Sequence, residues 1–189
     1  MLLKLTNISK SFGEKKVLEN LSLELGDGER LCILGPSGGG KTTLLNIIAG
    51  LIPPDGGEIT RNFSKLSYVF QEYRLLPWVT ALENITAATG CTDERARELL
   101  EAVELGNEFG SYPDSLSGGM KQRVNIARAL AAESDIILMD EPFKELDAGL
   151  RERIIRVADD YCGKRAVILV THDERDCEMM HCERVLNFS

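Results

Sequence analysis

The stretch GPSGGGKTT at residues 35–43 combines closely spaced glycines with a lysine and two threonines, between an apolar run and a helical pattern. It matches the pattern G-x-x-x-x-G-K-S/T at Gly35, Gly40, Lys41 and Thr42. In that setting backbone N–H groups curl around a phosphate, the lysine reaches the β- and γ-phosphates, and the threonine hydroxyl binds Mg²⁺. We therefore predict a nucleotide phosphate site. The alternative is a glycine-rich turn with a chance lysine.

Two further polar clusters follow apolar runs. Asp140 and Glu141 follow IILM, where the first carboxylate is placed to hold Mg²⁺ and the second to orient or deprotonate an attacking water. The alternative is a pair of carboxylates that cap the turn at Pro142. His172 lies in THD at residues 171–173, after RAVILV, and a neutral histidine there can donate to a γ-phosphate oxygen or hold the water in line. The alternative for His172 is a purely structural histidine.

A second glycine-containing motif, LSGGM at residues 116–120, opens another helical pattern. The free N–H groups in the first turn of a helix, together with the helix dipole, favour an anion. Ser117, Gly118 and Gly119 therefore form a second candidate anion site, far along the chain from the first.

Three short apolar runs are typical of buried central strands: RLCILG, DIILMD and RAVILV, at residues 30–35, 135–140 and 165–170. Helical patterns lie between them, and Thr92 is placed to cap one of these helices. The alternation in residues 2–29 predicts a small antiparallel β subdomain, and residues of about 72–130 predict an inserted helical subdomain. Because ligands of α/β sheets gather at the carboxyl ends of the strands, we expect the polar clusters to meet there.

The composition indicates a single globular domain, with 189 residues of which 43% are hydrophobic and 28% charged. No apolar run approaches the roughly 18 residues that cross a membrane. The net charge of −8, without a basic stripe, argues against binding of nucleic acid. The five cysteines form no CxxC motif, so we expect reduced thiols. The N-terminal sequence MLLKLTNISK lacks the apolar stretch of a signal peptide, which favours a cytoplasmic location.

In this order, and along essentially the whole chain, the motifs resemble those of the ATP-binding cassette (ABC) ATPases, the motor subunits of ABC transporters. Residues 35–43 resemble the Walker A loop, LSGGM the signature motif and Asp140–Glu141 the Walker B pair. Gln71 resembles the glutamine of the Q-loop, and Leu146–Asp147 the end of the D-loop. His172 resembles the switch histidine of the family.

The resemblance implies an α/β P-loop NTPase fold with a central, mostly parallel sheet, formed by a single ABC ATPase domain over residues 1–189. It implies ATP and Mg²⁺ as cofactors. The implied nucleotide-binding residues are Phe12, Gly35, Pro36, Ser37, Gly38, Gly39, Gly40, Lys41, Thr42, Thr43, Ser117, Gly118, Gly119 and Asp147. The implied metal-binding residues are Thr42, Gln71 and Asp140, and the implied catalytic residues are Glu141, His172 and Gln71. Phe12 would stack on the adenine, although taken alone such a phenylalanine is more often part of a core.

In this family two chains face each other head to tail, so the resemblance implies an ATP-dependent homodimer, or a dimer with a second ABC ATPase chain. The signature motif of one chain would then close over the ATP held by the other. The further partners implied are integral membrane permease subunits and, indirectly, a solute-binding protein. The chain would lie on the inner face of the cell membrane, held there by the permease.

A finer resemblance lies in residues 69–85, VFQEYRLLPWVTALENI, and in Met120, which look like the ATPases of importers for nitrate, sulfonates or taurine. The alternative for Leu75 to Trp78 is ordinary packing of the helical subdomain. One departure from the family is Lys144–Glu145 in the D-loop, where small residues are usual. This departure puts the fit against a partner chain in doubt.

Two other functions compete with an importer ATPase. One is an ATP-switched clamp that assembles other machinery, but such relatives usually carry two fused cassettes or long coiled coils. The other is a degenerate subunit that only binds nucleotide. The presence of Lys41, Asp140, Glu141 and His172 counts against a degenerate subunit.

Overall fold

The structure is a computed structural model that describes residues 1–188. Its strands are β1 (Leu3–Phe12), β2 (Lys15–Leu25), β3 (Arg30–Leu34), β4 (Gly56–Arg61), β5 (Leu66–Val69), β6 (Ile136–Asp140), β7 (Ala166–Thr171) and β8 (Arg184–Asn187). Its α-helices are α1 (Lys41–Ile48), α2 (Ala81–Thr89), α3 (Asp93–Ala102), α4 (Gly118–Ala131), α5 (Ala148–Cys162) and α6 (Glu174–Met179). Within residues 1–188, no helix is long and apolar enough to cross a membrane.

A five-stranded parallel sheet forms the centre of the fold, in the order β5-β6-β7-β3-β8. The predicted strands at residues 30–35, 135–140 and 165–170 are confirmed as β3, β6 and β7, which lie next to one another in this sheet. Every residue of β6 and β7 is buried, as continuous apolar runs require of strands covered on both faces. The predicted α/β fold with a mostly parallel sheet is therefore confirmed.

The central sheet separates two apolar clusters because successive side chains of a strand point to opposite faces. Val167 and Leu169 of β7 pack in the cluster that includes residues of α2 to α6. Ile168 and Val170 pack in the other cluster, with α1 and the inner face of a second sheet. This second sheet is antiparallel, in the order β2-β1-β4, so the antiparallel piece predicted at the N-terminus is present and β4 extends it.

Helices α2, α3 and α4 lie between β5 and β6 in the chain. Thr80 and Glu83 form a capping box at the start of α2, and Thr92 caps α3 as expected by accepting a bond from the N–H of Arg95. The first of these helices, α2, begins at Ala81, after a loop. The buried Asn84 side chain of α2 holds this loop, because it accepts a bond from the N–H of Leu76 and donates to the carbonyl oxygen of Leu76.

A disulfide joins Cys32 on β3 to Cys177 on α6, with the two Cα atoms 5.8 Å apart. The expectation of five reduced thiols therefore differs from the structure for this pair. The two cysteines are 145 residues apart in sequence, and no local pattern indicates that they meet. Cys91, Cys162 and Cys182 are free thiols.

Candidate active site

The glycine-rich loop connects β3 to α1 and curls around the side chain of Lys41, the first residue of that helix. Lys41 is buried, and its ammonium donates to the carbonyl oxygens of Gly35 and Pro36, each at 2.7 Å. Gly40 has φ +91°, and a Cβ there would lie 2.8 Å from the carbonyl oxygen of Val17. Only glycine fits at position 40 because both the backbone conformation and the contact with β2 exclude a side chain.

A cavity of about 320 Å³ opens beside this loop. It is lined by Phe12, Lys15, Val17, Ser37, Gly38, Gly40, Lys41, Thr42, Thr43, Gln71, Asp140 and Glu141. The structure thus brings together residues that the sequence placed in separate motifs. Phe12 is 53% exposed, so its ring is not part of the core and is free to contact a ligand. Sequence reasoning missed Lys15 and Val17, which carry no motif and reach the cavity only because β2 folds back after Phe12.

Asp140 ends β6 at the floor of this cavity and is 1% exposed. Neither carboxylate oxygen has a hydrogen-bond partner among residues 1–188. Burial raises the pKa of the Asp140 carboxyl above its usual range, and the charge of Glu141 adds to this, while Thr42 and Lys41 partly oppose it. An unpaired buried carboxylate beside a threonine hydroxyl supplies the oxygen donors that Mg²⁺ prefers, so these residues fit the metal.

Glu141 follows at the edge of the same cavity and faces His172, which lies just after the neighbouring strand β7. The Nδ1 of His172 lies 2.7 Å from the Oε2 of Glu141. Glu141 has φ +49°, a left-handed conformation that a side chain rarely adopts, and its N–H donates to the carbonyl oxygen of Val170. This turn directs a mostly buried carboxylate toward an exposed imidazole, an arrangement that suits activation of a water.

Helix α6 fixes the segment that carries His172. The buried Asp176 of α6 accepts two bonds from the guanidinium of Arg151 on α5 and one from the hydroxyl of Thr171. Through Asp176, the Thr171 hydroxyl therefore connects the end of β7 to both α5 and α6. Asp147 caps α5 through a bond from the N–H of Leu150 and does not line the cavity.

The signature residues begin α4 and also lie outside the lining of the cavity. Ser117 caps the helix by accepting a bond from the N–H of Met120 at 3.3 Å. Gly118 and Gly119 form the first turn, where free N–H groups and the helix dipole favour an anion. A single chain therefore presents two separate anion-binding helix ends.

Glu145 lies directly against this second helix end. Its Oε2 accepts a hydrogen bond from the hydroxyl of Tyr73 at 2.5 Å. A Cβ at Gly118 would lie 2.5 Å from the same oxygen, and one at Gly119 would lie 3.2 Å from the backbone oxygen of Glu145. Burial and the bond to Glu145 raise the pKa of Tyr73 to about 12, so its hydroxyl keeps its proton. The D-loop departure at Glu145 is thus accommodated by glycine at position 118.

A profile of the family described as ABC transporter matches residues 18–144. The chain belongs to the ABC transporter family. This ABC chain is 43% identical to an aliphatic sulfonates import ATP-binding protein of Bacillus cereus, over 87% of the chain and 71% of that protein. It is 42% identical to a second such protein of Rhodococcus jostii, over 89% and 65% of the two chains.

A sulfate/thiosulfate import ATP-binding protein of Vibrio cholerae is 40% identical to this ABC chain, over 92% of it and 52% of the Vibrio protein. The chain therefore spans only about half to seven-tenths of the length of these relatives. A dimeric structure of the ATP-binding cassette MJ0796, bound to ADP and Pi in a post-hydrolysis state, superimposes with a TM-score of 0.90. The two are 34% identical, with coverage of 100% of this chain and 94% of that one.

Replacing Asp140 by asparagine is expected to stabilise the metal-free protein and to abolish Mg²⁺-dependent ATP hydrolysis. The substitution removes a buried, unpaired charge, so the free energy of unfolding in urea with EDTA at pH 7 should rise by about 1–3 kcal/mol. Because the folded-state pKa of Asp140 is raised, this gain should shrink as the pH falls through that pKa toward about 3.9. Asp147→Asn is the control, because asparagine caps a helix as well as aspartate does. A variant no more stable than the parent would contradict this account of Asp140.

Gly118→Ala tests the contact with Glu145. Alanine stabilises a helix relative to glycine by about 1 kcal/mol, but here the added Cβ meets a carboxylate oxygen at 2.5 Å. Because this oxygen is the end of a flexible side chain, the carboxylate must move and lose its bond to Tyr73. We expect the substitution to raise the melting temperature less in the parent than in a Glu145→Ala background, measured as a double-mutant cycle. Gly149→Ala in α5 is the matched control, since its Cβ would make only ordinary contacts, the nearest at 3.7 Å. Equal stabilisation by Gly118→Ala in the two backgrounds would disprove the contact.

Proposed function

We propose that the chain binds and hydrolyses ATP as the ATP-binding subunit of an importer that drives a small solute through separate membrane subunits. The observation that carries this proposal is the convergence of Lys41, the unpaired carboxylate of Asp140 and the Glu141–His172 pair at one edge of the parallel sheet. Residues 1–189 form one ABC ATPase domain in this proposal, with the helical segment of about 72–130 inserted in it.

The predicted site residues have distinct roles in this proposal. Phe12 stacks on the adenine, and the loop of residues 35–43 binds the phosphates through its N–H groups and the Lys41 ammonium. Thr42, Gln71 and Asp140 hold Mg²⁺, which supplies charge neutralisation on the β- and γ-phosphates. Glu141 takes the proton of the attacking water, and His172 orients that water or the γ-phosphate.

The signature residues complete the site of a second chain. Ser117, Gly118 and Gly119 do not line their own chain's cavity, so their anion-binding helix end is available to the ATP of a partner. The structural relative MJ0796 is described as dimeric and bound to ADP and Pi, which supports this assembly. The partner is a second copy of this chain or another ABC ATPase chain, and ATP holds the dimer closed.

The solute is a small oxoanion in this proposal, with sulfonates and sulfate as the first candidates. The Bacillus, Rhodococcus and Vibrio relatives are all import ATP-binding proteins for sulfonates or for sulfate and thiosulfate. The chain acts at the inner face of the membrane, held there by permease subunits. A solute-binding protein delivers the solute to these subunits. The surface for the permease is the patch near Gln71 and residues 74–78, where Leu76 and Trp78 are 36% and 70% exposed.

Mixing two inactive variants is expected to restore ATP hydrolysis. Lys41→Ala removes the ammonium of the phosphate loop, and Gly119→Asp places a carboxylate where the partner's γ-phosphate binds. Each homodimer then has two defective sites, but a mixed dimer has one complete site. We expect the mixture, with ATP and Mg²⁺ at protein concentrations that populate dimers, to hydrolyse ATP faster than the sum of the separate samples. Gly119→Asp protein that dimerises with ATP as readily as the parent would refute the shared site.

Trp78→Glu tests the permease surface. Trp78 is 70% exposed, so the substitution leaves folding nearly unchanged, while a charge in the centre of an apolar interface weakens assembly strongly. We expect co-purification with the permease to fall at least tenfold and the ATPase activity of the isolated chain to stay within about twofold. Leu51→Glu, at an apolar position 53% exposed and outside the patch, is the control. Equal loss of assembly and activity would instead favour a packing role for Trp78.

A further inference from the structure

Three polar side chains form a stripe along α4, at a spacing of three residues: Gln122, Asn125 and Arg128. Gln122 and Asn125 are 2% and 0% exposed on an otherwise apolar helix face. Buried polar side chains cost free energy unless they are hydrogen-bonded, so the partners of this stripe carry information about its role.

The stripe holds the backbone on both sides of Gln71. The Nδ2 of Asn125 donates to the carbonyl oxygen of Phe70 at 2.9 Å. The guanidinium of Arg128 donates to the carbonyl oxygens of Tyr73 and Arg74, each at 2.8 Å. The segment that carries Gln71 into the cavity follows β5 of the sheet and is held by α4 through these bonds.

The same stripe holds the backbone that follows Glu141. The Nε2 of Gln122 donates to the carbonyl oxygen of Pro142 at 2.7 Å. Arg128 also donates to the Oδ1 of Asn125 at 3.0 Å, and Asn125 reaches Gln122 at 3.5 Å, so the three side chains form one network. One helix thus fixes both segments that bring catalytic groups to its own cavity.

The N-terminus of this helix is the signature end. Gly118 and Arg128 are ten residues apart, which corresponds to about 15 Å along a rigid α-helix. A rigid helix that is bonded to both segments can pass a displacement of Gln71 or Glu141 to Ser117, Gly118 and Gly119, which in the proposed function complete the cavity of the partner.

We propose that Gln122, Asn125 and Arg128 are positioning residues that couple the two ATP sites of the dimer, by fixing the signature end of α4 to the catalytic segments of the same chain. The proposal rests on the shared sites of the proposed function. If the stripe couples the two sites, one substitution in it must affect catalysis in its own chain and ATP binding by the partner in different ways. A stripe that only stabilises the fold would affect both alike.

The experiment places Asn125→Ala in one member of the mixed dimer at a time. The Gly119→Asp chain supplies the phosphate loop, Gln71 and Glu141 of the complete site, whereas the Lys41→Ala chain supplies only the signature. With Asn125→Ala in the signature-supplying chain, we expect the KM for ATP to rise about fivefold and kcat to change less than about twofold. With Asn125→Ala in the loop-supplying chain, we expect kcat to fall about fivefold at nearly constant KM.

Two further variants test whether a loss of folding explains this result. Arg128→Lys keeps the positive charge but cannot hold both carbonyl oxygens. It should therefore give the same difference in KM and kcat between the two placements, to a smaller degree. Arg30→Ala is the matched control, because Arg30 donates to the carbonyl oxygens of Asp159, Gly163 and Met180, none of which belongs to α4 or to the catalytic segments. It should lower the melting temperature without any dependence on which chain carries it. An identical effect of Asn125→Ala in either chain, or none in the signature-supplying chain, would overturn the coupling.

Backbone amide NMR shifts of the isolated chain separate this proposal from the proposed function, because the measurement needs neither ATP nor a dimer. Asn125→Ala should shift the amide signals of residues 70–74 and of residues 117–120 together, and leave those of β7 unchanged. If only residues 70–74 respond, the stripe does not reach the signature and the proposal fails. Another outcome is that both segments respond while the mixture of Lys41→Ala and Gly119→Asp proteins, without Asn125→Ala, recovers no ATP hydrolysis. That outcome would refute the shared ATP site and support the link within the chain.

Discussion

The carboxylate of Asp140 is the constraint around which the site is arranged. It is buried at the end of a central strand and has no hydrogen-bond partner in residues 1–188, a situation that costs a folded protein free energy unless a cation joins it. Lys41 lies close enough to favour the charged carboxylate, but its ammonium donates to the carbonyl oxygens of Gly35 and Pro36 instead. In the proposed function this negative charge holds the metal ion, and the fold without metal is less stable for it.

The sequence predicts this part of the molecule well because the chemistry follows the strands directly. Buried apolar runs identify β3, β6 and β7, and parallel pairing then places their carboxyl ends at one edge. The phosphate loop, the Asp140–Glu141 pair and His172 come immediately after these runs, so their meeting follows from strand direction alone. The short edge strands β5 and β8 are less visible, since four residues carry little periodic signal.

Contacts between distant loops are the part that the sequence does not reveal. Tyr73 and Glu145 are 72 residues apart, and Cys32 and Cys177 are 145 apart. Each member of these pairs is unremarkable in its local pattern, and only the folded chain shows which residues meet. Asn125 is different, because an amide on the buried face of a helical pattern is a visible anomaly in the sequence. That anomaly indicates a buried hydrogen bond but not its partner, the backbone of Phe70.

The position of Glu145 changes the electrostatics of the signature end. A helix N-terminus offers about half a positive charge, whereas the Glu145 carboxylate beside Gly118 brings a full negative charge. The Tyr73 hydroxyl keeps this carboxylate in place, since its raised pKa leaves the proton on the phenol. In the isolated chain the two charges oppose each other, so the signature end attracts a free anion only weakly. In the proposed dimer, a phosphate held by the lysine and metal of the second chain would carry less net charge and would be repelled less by Glu145. The arrangement would then disfavour free phosphate more than the nucleotide of a loaded second site.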